Sequence, residues 1–199
     1  MKFGLIEQPS ETMFASFLHV GTWREGQICE VCGRDTSEMI EPLLVEWEAG
    51  SEQVGDFSWC SYTCVVTERV RKFAEAQGWN CDFLDVKIVP PKRKNRRRVG
   101  LWPYNGPRLF WMVAKTQLSL NESESKLRGT KECRACKKPN FVFKKKNLRL
   151  DEQSWLKAKV FSLKQFSRTG ITYLTENGKN DLLRAGFTNF RFVHAGEVK

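Results

Sequence analysis

The hydrophobic positions of this chain fall into short segments with helix-like or strand-like spacing. Val70, Phe73 and Ala74 have the i, i+3, i+4 spacing of one helix face. Gly78 follows, where a glycine commonly ends a helix. Residues 81–89 then alternate between apolar and polar side chains. The pattern predicts a helix followed by a half-buried strand.

A similar pattern recurs about a hundred residues later. Thr67 and Thr175 each precede a glutamate, so both can cap a helix. Gly186 follows the second predicted helix, and residues 190–195 form the next predicted strand. Each half also holds a Cys-x-x-Cys knuckle followed by an apolar segment. The sequence therefore predicts an α+β fold of two weakly repeated halves, each with the order knuckle, strand, helix, strand.

Proline content sets the predicted boundaries between the halves. Residues 1–89 form the first half and residues 108–199 the second, either as separate units or as one compact domain. Residues 90–107 contain four prolines and a basic run, which excludes a regular helix and predicts a connector. Residues 108–120 are expected to form the next strand or pair of strands.

Seven cysteines bear on the candidate chemistry, and six of them form three close pairs. The chain has no run of 18 apolar residues, and its first residues lack the apolar stretch of a secretory signal. These features predict a cytoplasmic protein without a membrane partner. In a reducing compartment, close cysteine pairs indicate a metal site more than disulfides.

Two Cys-x-x-Cys pairs predict structural zinc, because each turn can direct two thiolates at one tetrahedral ion. One ligand set joins the halves and consists of Cys29, Cys32, Cys133 and Cys136. An alternative set keeps the first pair and adds Cys60 and Cys64, because CSYTC at 60–64 is expected to begin a helix whose first turn can supply two thiolates. Cys81 stands alone and is expected to be a small buried apolar residue.

The sequence gives little indication of an enzyme. It has no P-loop, nucleophile-elbow or dinucleotide-binding glycine pattern. Its two histidines, His19 and His194, lie in apolar strand-like segments. Because a zinc ion closed by four thiolates does not activate water, a non-enzymatic protein is predicted.

Charge is distributed unevenly along the chain. The net charge of +10 combines −9 over residues 1–86 with +16 over residues 87–149. The positive charge is concentrated in two clusters: Lys92, Arg93, Lys94, Arg96, Arg97 and Arg98 in the first, and Lys131, Arg134, Lys137, Lys138, Lys144, Lys145 and Lys146 in the second. Such clusters can bind nucleic-acid phosphates, steer an acidic protein, or form a solvated surface.

A sparse resemblance to a known family is carried by four segments: CEVCG at 29–33, CRACK at 133–137, LDEQSW at 150–155 and YLTENGKNDLLRAGFTNFRF at 173–192. Together they resemble the double-CxxCG motif family. That family forms large paralogue sets in predatory and other complex bacteria, and some members are assigned as immunity proteins that neutralise a cognate toxin. The chain departs from the motif at Lys137, where the family has Gly, and in CSYTC.

The resemblance implies a structural zinc ion held by the ligand set that joins the halves. It also implies a protein partner, a cognate toxin. The expected function is a zinc-stabilised, non-enzymatic binding protein that neutralises this toxin by direct binding. The alternative is a nucleic-acid-binding zinc protein that uses the basic segments 92–98 and 131–146.

Overall fold

A computed structural model describes most of the chain, namely residues 1–10, 13–20, 23–24, 28–33, 38–39, 41–47, 53–60, 63–90, 104–130, 133–136, 140–141, 144–151, 153 and 157–198. The basic run 92–98 and most of the predicted connector lie outside these residues. Within the described ranges, no helix has the length and apolar character needed to cross a membrane.

The described residues form sixteen strands and two α-helices, with one 3-10 helix at Lys164–Thr169. In chain order they are β1 (Lys2–Glu7), β2 (Phe17–His19), β3 (Trp23–Arg24), β4 (Glu38–Met39), β5 (Leu43–Trp47), β6 (Phe57–Cys60), β7 (Thr63–Thr67), α1 (Glu68–Ala76), β8 (Cys81–Val89), β9 (Leu109–Ala114), β10 (Gln117–Leu118), β11 (Gly129–Thr130), β12 (Asn140–Phe141), β13 (Leu148–Arg149), β14 (Val160–Leu163), β15 (Tyr173–Thr175), α2 (Glu176–Arg184) and β16 (Arg191–Glu197).

Two six-stranded sheets contain most of the strands. One has the order β2-β5-β8-β9-β7-β6 and the other β10-β14-β15-β1-β16-β13. Most neighbours are antiparallel, whereas β5 with β8, β13 with β16, and β10 with β14 are parallel. The predicted α+β class is confirmed, with sheet predominating.

The sheets do not follow the predicted division of the chain at residues 107 and 108. Strand β9 pairs with β7 and β8, so residues 109–114 belong to the sheet of the first half. Strand β1 pairs with β15 and β16, so residues 2–7 belong to the sheet of the second half. Each sheet therefore contains a central strand that sequence order assigns to the other half.

The two helices begin differently from each other. In α2 the predicted cap is confirmed, because Thr175 Oγ1 accepts a hydrogen bond from the Gly178 N–H at 3.3 Å. For α1 the predicted cap is wrong. Thr67 makes no capping bond, and its hydroxyl instead donates to Asp56 Oδ1 at 3.2 Å. The Thr67 side chain is thus oriented toward the buried Asp56 carboxylate.

Both helices end near the glycines that the sequence indicates. Gly78 and Gly186 have φ angles of +66° and +63°. A glycine enters this left-handed region without the steric cost of a Cβ atom, so it can turn the chain from helix into strand.

Three clusters of buried apolar side chains make up the core. One belongs to the sheet with β1 and another to the sheet with β9. The third is shared, because it joins Val70 of α1 and Leu182 of α2 to strands of both sheets. Phe57 is fully buried in this shared cluster, with its ring centroid 6.2 Å from Phe187 and 5.2 Å from Phe190. The two sheets therefore share this third cluster, the shared core.

A buried carboxylate adds polar contacts across the same junction. Asp56 accepts hydrogen bonds from the Arg69 guanidinium at 2.9 Å and from the Thr188 N–H at 3.0 Å. Arg69 also donates to the Ala185 carbonyl at 2.7 Å and stacks over the Phe187 ring. The start of β6, helix α1 and the turn after α2 are thus tied together.

Asp181, a second buried carboxylate, supports a prediction about how the stability of the protein depends on pH. Hydrogen bonds from Lys159 and then Arg184, both at 2.7 Å, hold the pKa of Asp181 below its usual range despite the opposing effect of burial. Because the folded-state pKa is depressed, the stabilisation is present above about pH 4 and is lost as the pH falls through the folded-state value.

Asp181→Asn is therefore expected to lower the free energy of unfolding by about 1 kcal/mol at neutral pH, since one partner is largely exposed and screened. Urea unfolding of both proteins from pH 7 to pH 3 measures this difference. The difference should shrink at the acid end, and one that is constant across this range would contradict the ionic origin of the effect.

Candidate metal centre

Each Cys-x-x-Cys knuckle lies between the strands of a short antiparallel ribbon. Strands β3 and β4 pair on either side of the first knuckle, and β11 and β12 pair on either side of the second. An antiparallel ribbon brings its two strand ends together, and each knuckle lies between such ends. Both knuckles are therefore presented by the same kind of element.

A backbone hydrogen bond closes the turn of the first knuckle. The Gly33 N–H donates to the Cys29 carbonyl at 2.7 Å, and Gly33 has a φ of +66°. This left-handed conformation explains the glycine directly after the second cysteine of the pair. The corresponding Lys137 of the second knuckle lies outside the described residues.

The structure brings together the four cysteines of the predicted set that joins the halves. The Sγ atoms of Cys29 and Cys133 are 3.7 Å apart, and those of Cys32 and Cys136 are 3.8 Å apart. All four Sγ atoms lie within 4.8 Å of one another. A tetrahedral ion with metal–sulfur bonds of about 2.3 Å holds its ligands about 3.8 Å apart. The cluster is therefore compatible with one metal ion held by four thiolates.

Backbone hydrogen bonds favour the ionised form of the thiols in each knuckle. The Cys136 and Ala135 N–H groups lower the pKa of Cys133 to about 6. The Cys32 and Val31 N–H groups likewise lower the pKa of Cys29. Because the thiolate is the form of cysteine that binds metal, these lowered pKa values favour metal binding by both knuckles.

The alternative ligands Cys60 and Cys64 lie elsewhere in the fold. The expectation that CSYTC begins a helix is wrong, because Cys60 ends β6, Cys64 lies in β7, and the two strands form a hairpin. Cys60 packs in the core of the first sheet and Cys64 in the shared core, and burial raises the pKa of the Cys64 thiol. Neither cysteine belongs to the four-sulfur cluster.

The remaining candidate ligands are also separate from the cluster. Cys81 packs partly buried against the shared core, and burial raises its pKa to about 12. His19 lies in β2 and His194 in β16, and neither is among the residues that form the cluster. The surroundings of Cys81 agree with the small apolar role expected from the sequence.

The second basic cluster is only partly available for a ligand. Lys144 donates to the Ser125 carbonyl at 2.6 Å, and Lys145 pairs with Glu7, also at 2.6 Å. Lys131, Lys137 and Lys138 lie outside the described residues, as do all six residues of the first cluster, 92–98. The structure therefore does not bring the two clusters into one described surface.

The donor set defines what the centre can do. Four soft thiolates in a tetrahedral arrangement suit zinc, and they also suit iron. Such an ion has no coordination position left for a substrate. Because its ligands come from both knuckles, it would crosslink cysteines that are 104 residues apart in sequence.

The two ribbons that present the knuckles were not predicted from the sequence, because each of their strands is only two residues long.

Comparison with family models and with curated proteins gives no relative from which these residues could be assigned. No family model matches the chain, and no curated protein matches it either. The likeness to the double-CxxCG motif family therefore remains an expectation from the motifs alone.

Proposed function

We propose that this protein is a zinc-stabilised, non-enzymatic binding protein. The observation that carries the proposal is the cluster of Cys29, Cys32, Cys133 and Cys136, with Sγ–Sγ distances that fit a tetrahedral ion. Zinc suits a structural role because it has no redox chemistry and accepts a closed set of four thiolates.

The proposed role of the metal is to fix one part of the surface. Each knuckle is held in the fold by a ribbon of only two pairs, which alone is a weak support. A metal shared by both knuckles would order them together, so that they present a rigid surface to a partner. A rigid surface loses little conformational entropy on binding, which favours affinity.

The proposed partner is a toxin that the protein neutralises by direct binding. The resemblance of the two knuckles and of residues 173–192 to the double-CxxCG motif family supports this role. The uneven charge of the chain also suits a protein partner, since residues 1–86 carry a net charge of −9 and could steer a basic toxin.

A binding experiment with the product of the neighbouring gene tests the toxin proposal. Purified protein with one zinc per chain is titrated into that product in a calorimeter, and growth is measured when both are co-expressed. One-to-one binding together with rescue of growth is the expected result. If neither binding nor rescue is seen with zinc-loaded protein, the immunity role is refuted.

A nucleic-acid-binding zinc protein is the second candidate. The concentration of positive charge in residues 87–149 favours it, whereas the intramolecular bonds of Lys144 and Lys145 reduce the charge that is free. Mobility shift with duplex DNA and single-stranded RNA at two salt concentrations distinguishes the candidates. Binding that weakens steeply with salt would support this role, and no shift at low salt would exclude it.

We also propose that the two halves are copies of one unit. The neighbour orders β6-β7-β9-β8-β5 and β14-β15-β1-β16-β13 correspond strand by strand, with a parallel pair last in each. Helices α1 and α2 each have nine residues, start at a glutamate and precede a glycine with positive φ. In this correspondence β1 has the place in its sheet that β9 has in the other.

A circular permutant tests the correspondence. The Met1 and Val198 backbones already exchange hydrogen bonds at 2.7 and 2.8 Å, so a short linker can join β16 to β1 as residues 90–108 join β8 to β9. A permutant opened within residues 91–103 is expected to fold with the same zinc content. An unfolded permutant would contradict the equivalence of the two connections.

A further inference from the structure

The residues between the paired cysteines, with Ile28 directly before the first pair, form an exposed surface that we call the knuckle face. It consists of Ile28, Glu30, Val31, Arg134 and Ala135. All five are exposed. The four Sγ atoms lie within 4.8 Å of one another, so the two knuckle turns lie beside each other, and the residues between the cysteines are exposed.

Two large apolar side chains are left open to solvent on this face. Ile28 is 66% exposed and Val31 is 50% exposed. Both belong to the first knuckle, and at the position of Val31 the second knuckle has the small Ala135. Single exposed apolar residues are common, but two β-branched side chains three positions apart at one knuckle offer apolar area that a partner can cover.

The charges of the knuckle face are complementary to each other. Glu30 and Arg134 both follow the first cysteine of their knuckle, so they occupy equivalent positions with opposite charge. Neither has a hydrogen bond or ion pair with any other described residue. The first knuckle is thus acidic and carries the large apolar side chains, whereas the second is basic and carries a small one. If two copies are related by a two-fold axis, the first knuckle of each can face the second knuckle of the other, and the two surfaces are complementary.

We propose that the knuckle face binds a second copy of this chain in a two-fold symmetric dimer. The first knuckle of each copy packs against the second knuckle of its partner, so that Val31 meets Ala135 and Glu30 meets Arg134, each contact occurring twice. The face is small, and the dimer is accordingly weak, with a dissociation constant between about 10 µM and 1 mM. This dimer rests on the proposed metal centre, because the metal holds both knuckles in place.

Charge reversal with compensation tests the dimer. Sedimentation velocity of the zinc-loaded protein at concentrations up to about 1 mM is expected to show association that increases with concentration. Glu30→Arg and Arg134→Glu should each weaken it at least about tenfold, since either change creates two like-charge contacts. The double variant Glu30→Arg/Arg134→Glu should restore it to within about threefold, because opposite charges face each other again. Val31→Ser should weaken it as well, and Leu183→Ser, which removes an exposed leucine on α2, should not.

Zinc content and far-ultraviolet circular dichroism, measured for every variant, separate loss of the face from loss of the fold. A monomer at about 1 mM that carries one zinc per chain would overturn the dimer and leave the proposed metal centre intact. Association that Glu30→Arg and Val31→Ser leave unchanged would overturn it too. If the face variants instead lose toxin binding while the parent protein remains monomeric, the occupant is a different protein and the second copy is excluded.

Discussion

Cys133→Ser is expected to abolish zinc binding and to lower the free energy of unfolding by about 3 to 4 kcal/mol. That range is the stabilisation given by a ligand at roughly 100 to 1,000 times its dissociation constant. The physical reason is that three thiolates cannot complete the tetrahedron, so both knuckles lose the bond that holds them together. Elemental analysis measures the zinc, and urea unfolding measures the stability.

Cys81→Ser is the matched control for this substitution. It makes the same chemical change in β8, outside the four-sulfur cluster, and should retain full zinc occupancy. Cys29→Ser should behave like Cys133→Ser, because each removes one of a pair of sulfurs that lie 3.7 Å apart. Full zinc occupancy in Cys133→Ser would contradict the shared site. It would instead support the ligand set that includes Cys60 and Cys64.

Phe57→Ala is expected to lower the free energy of unfolding by about 3 to 5 kcal/mol. The Phe57 ring is fully buried and contacts Phe187 and Phe190, which follow α2, from its place in the sheet of the first half. Removing it leaves a cavity at the junction of the two sheets, and surrounding side chains can fill it only in part. Urea unfolding followed by circular dichroism and by tryptophan fluorescence measures the loss.

The two probes should give coincident transitions, because the shared core makes the sheets unfold together. Leu183→Ala, which removes an exposed side chain on α2, serves as the control and should change the stability by about 0.5 kcal/mol or less. Two separate transitions, with only one of them shifted by Phe57→Ala, would show that the halves fold independently.

Local signals in the sequence were sufficient for the elements around the helices. The apolar spacing in α1, the glycines after both helices and the alternation in β8 each reflect an interaction over a few residues. The four clustered cysteines were predictable for a similar reason. A Cys-x-x-Cys turn is a local motif, and two of them supply one complete tetrahedral ligand set.

Strand β1 could not be predicted in this way. Four of its six residues, Phe3 to Ile6, are buried in succession because β1 lies in the middle of a sheet that is covered on both faces. Consecutive burial removes the alternation that marks a half-exposed strand. Its partners, β15 and β16, are more than 160 residues away in sequence, so nothing near β1 indicates the pairing.

The error at CSYTC has a different origin. A spacing of four residues places two cysteines on one face of a helix, and it equally suits a tight hairpin in which Cys60 stands opposite Thr63. Long-range pairing decides between these conformations, because β7 is held on its other side by β9. The hairpin then directs Cys60 and Cys64 into different parts of the core.

X-ray absorption at the metal edge of the purified protein tests most directly whether a single ion joins the two knuckles. The expected result is one metal per chain with four sulfur neighbours at about 2.3 Å, and the loss of this signal in Cys133→Ser. A first shell containing nitrogen or oxygen in place of two of the sulfurs, or an unchanged signal in Cys133→Ser, would contradict a tetrathiolate centre shared by Cys29, Cys32, Cys133 and Cys136.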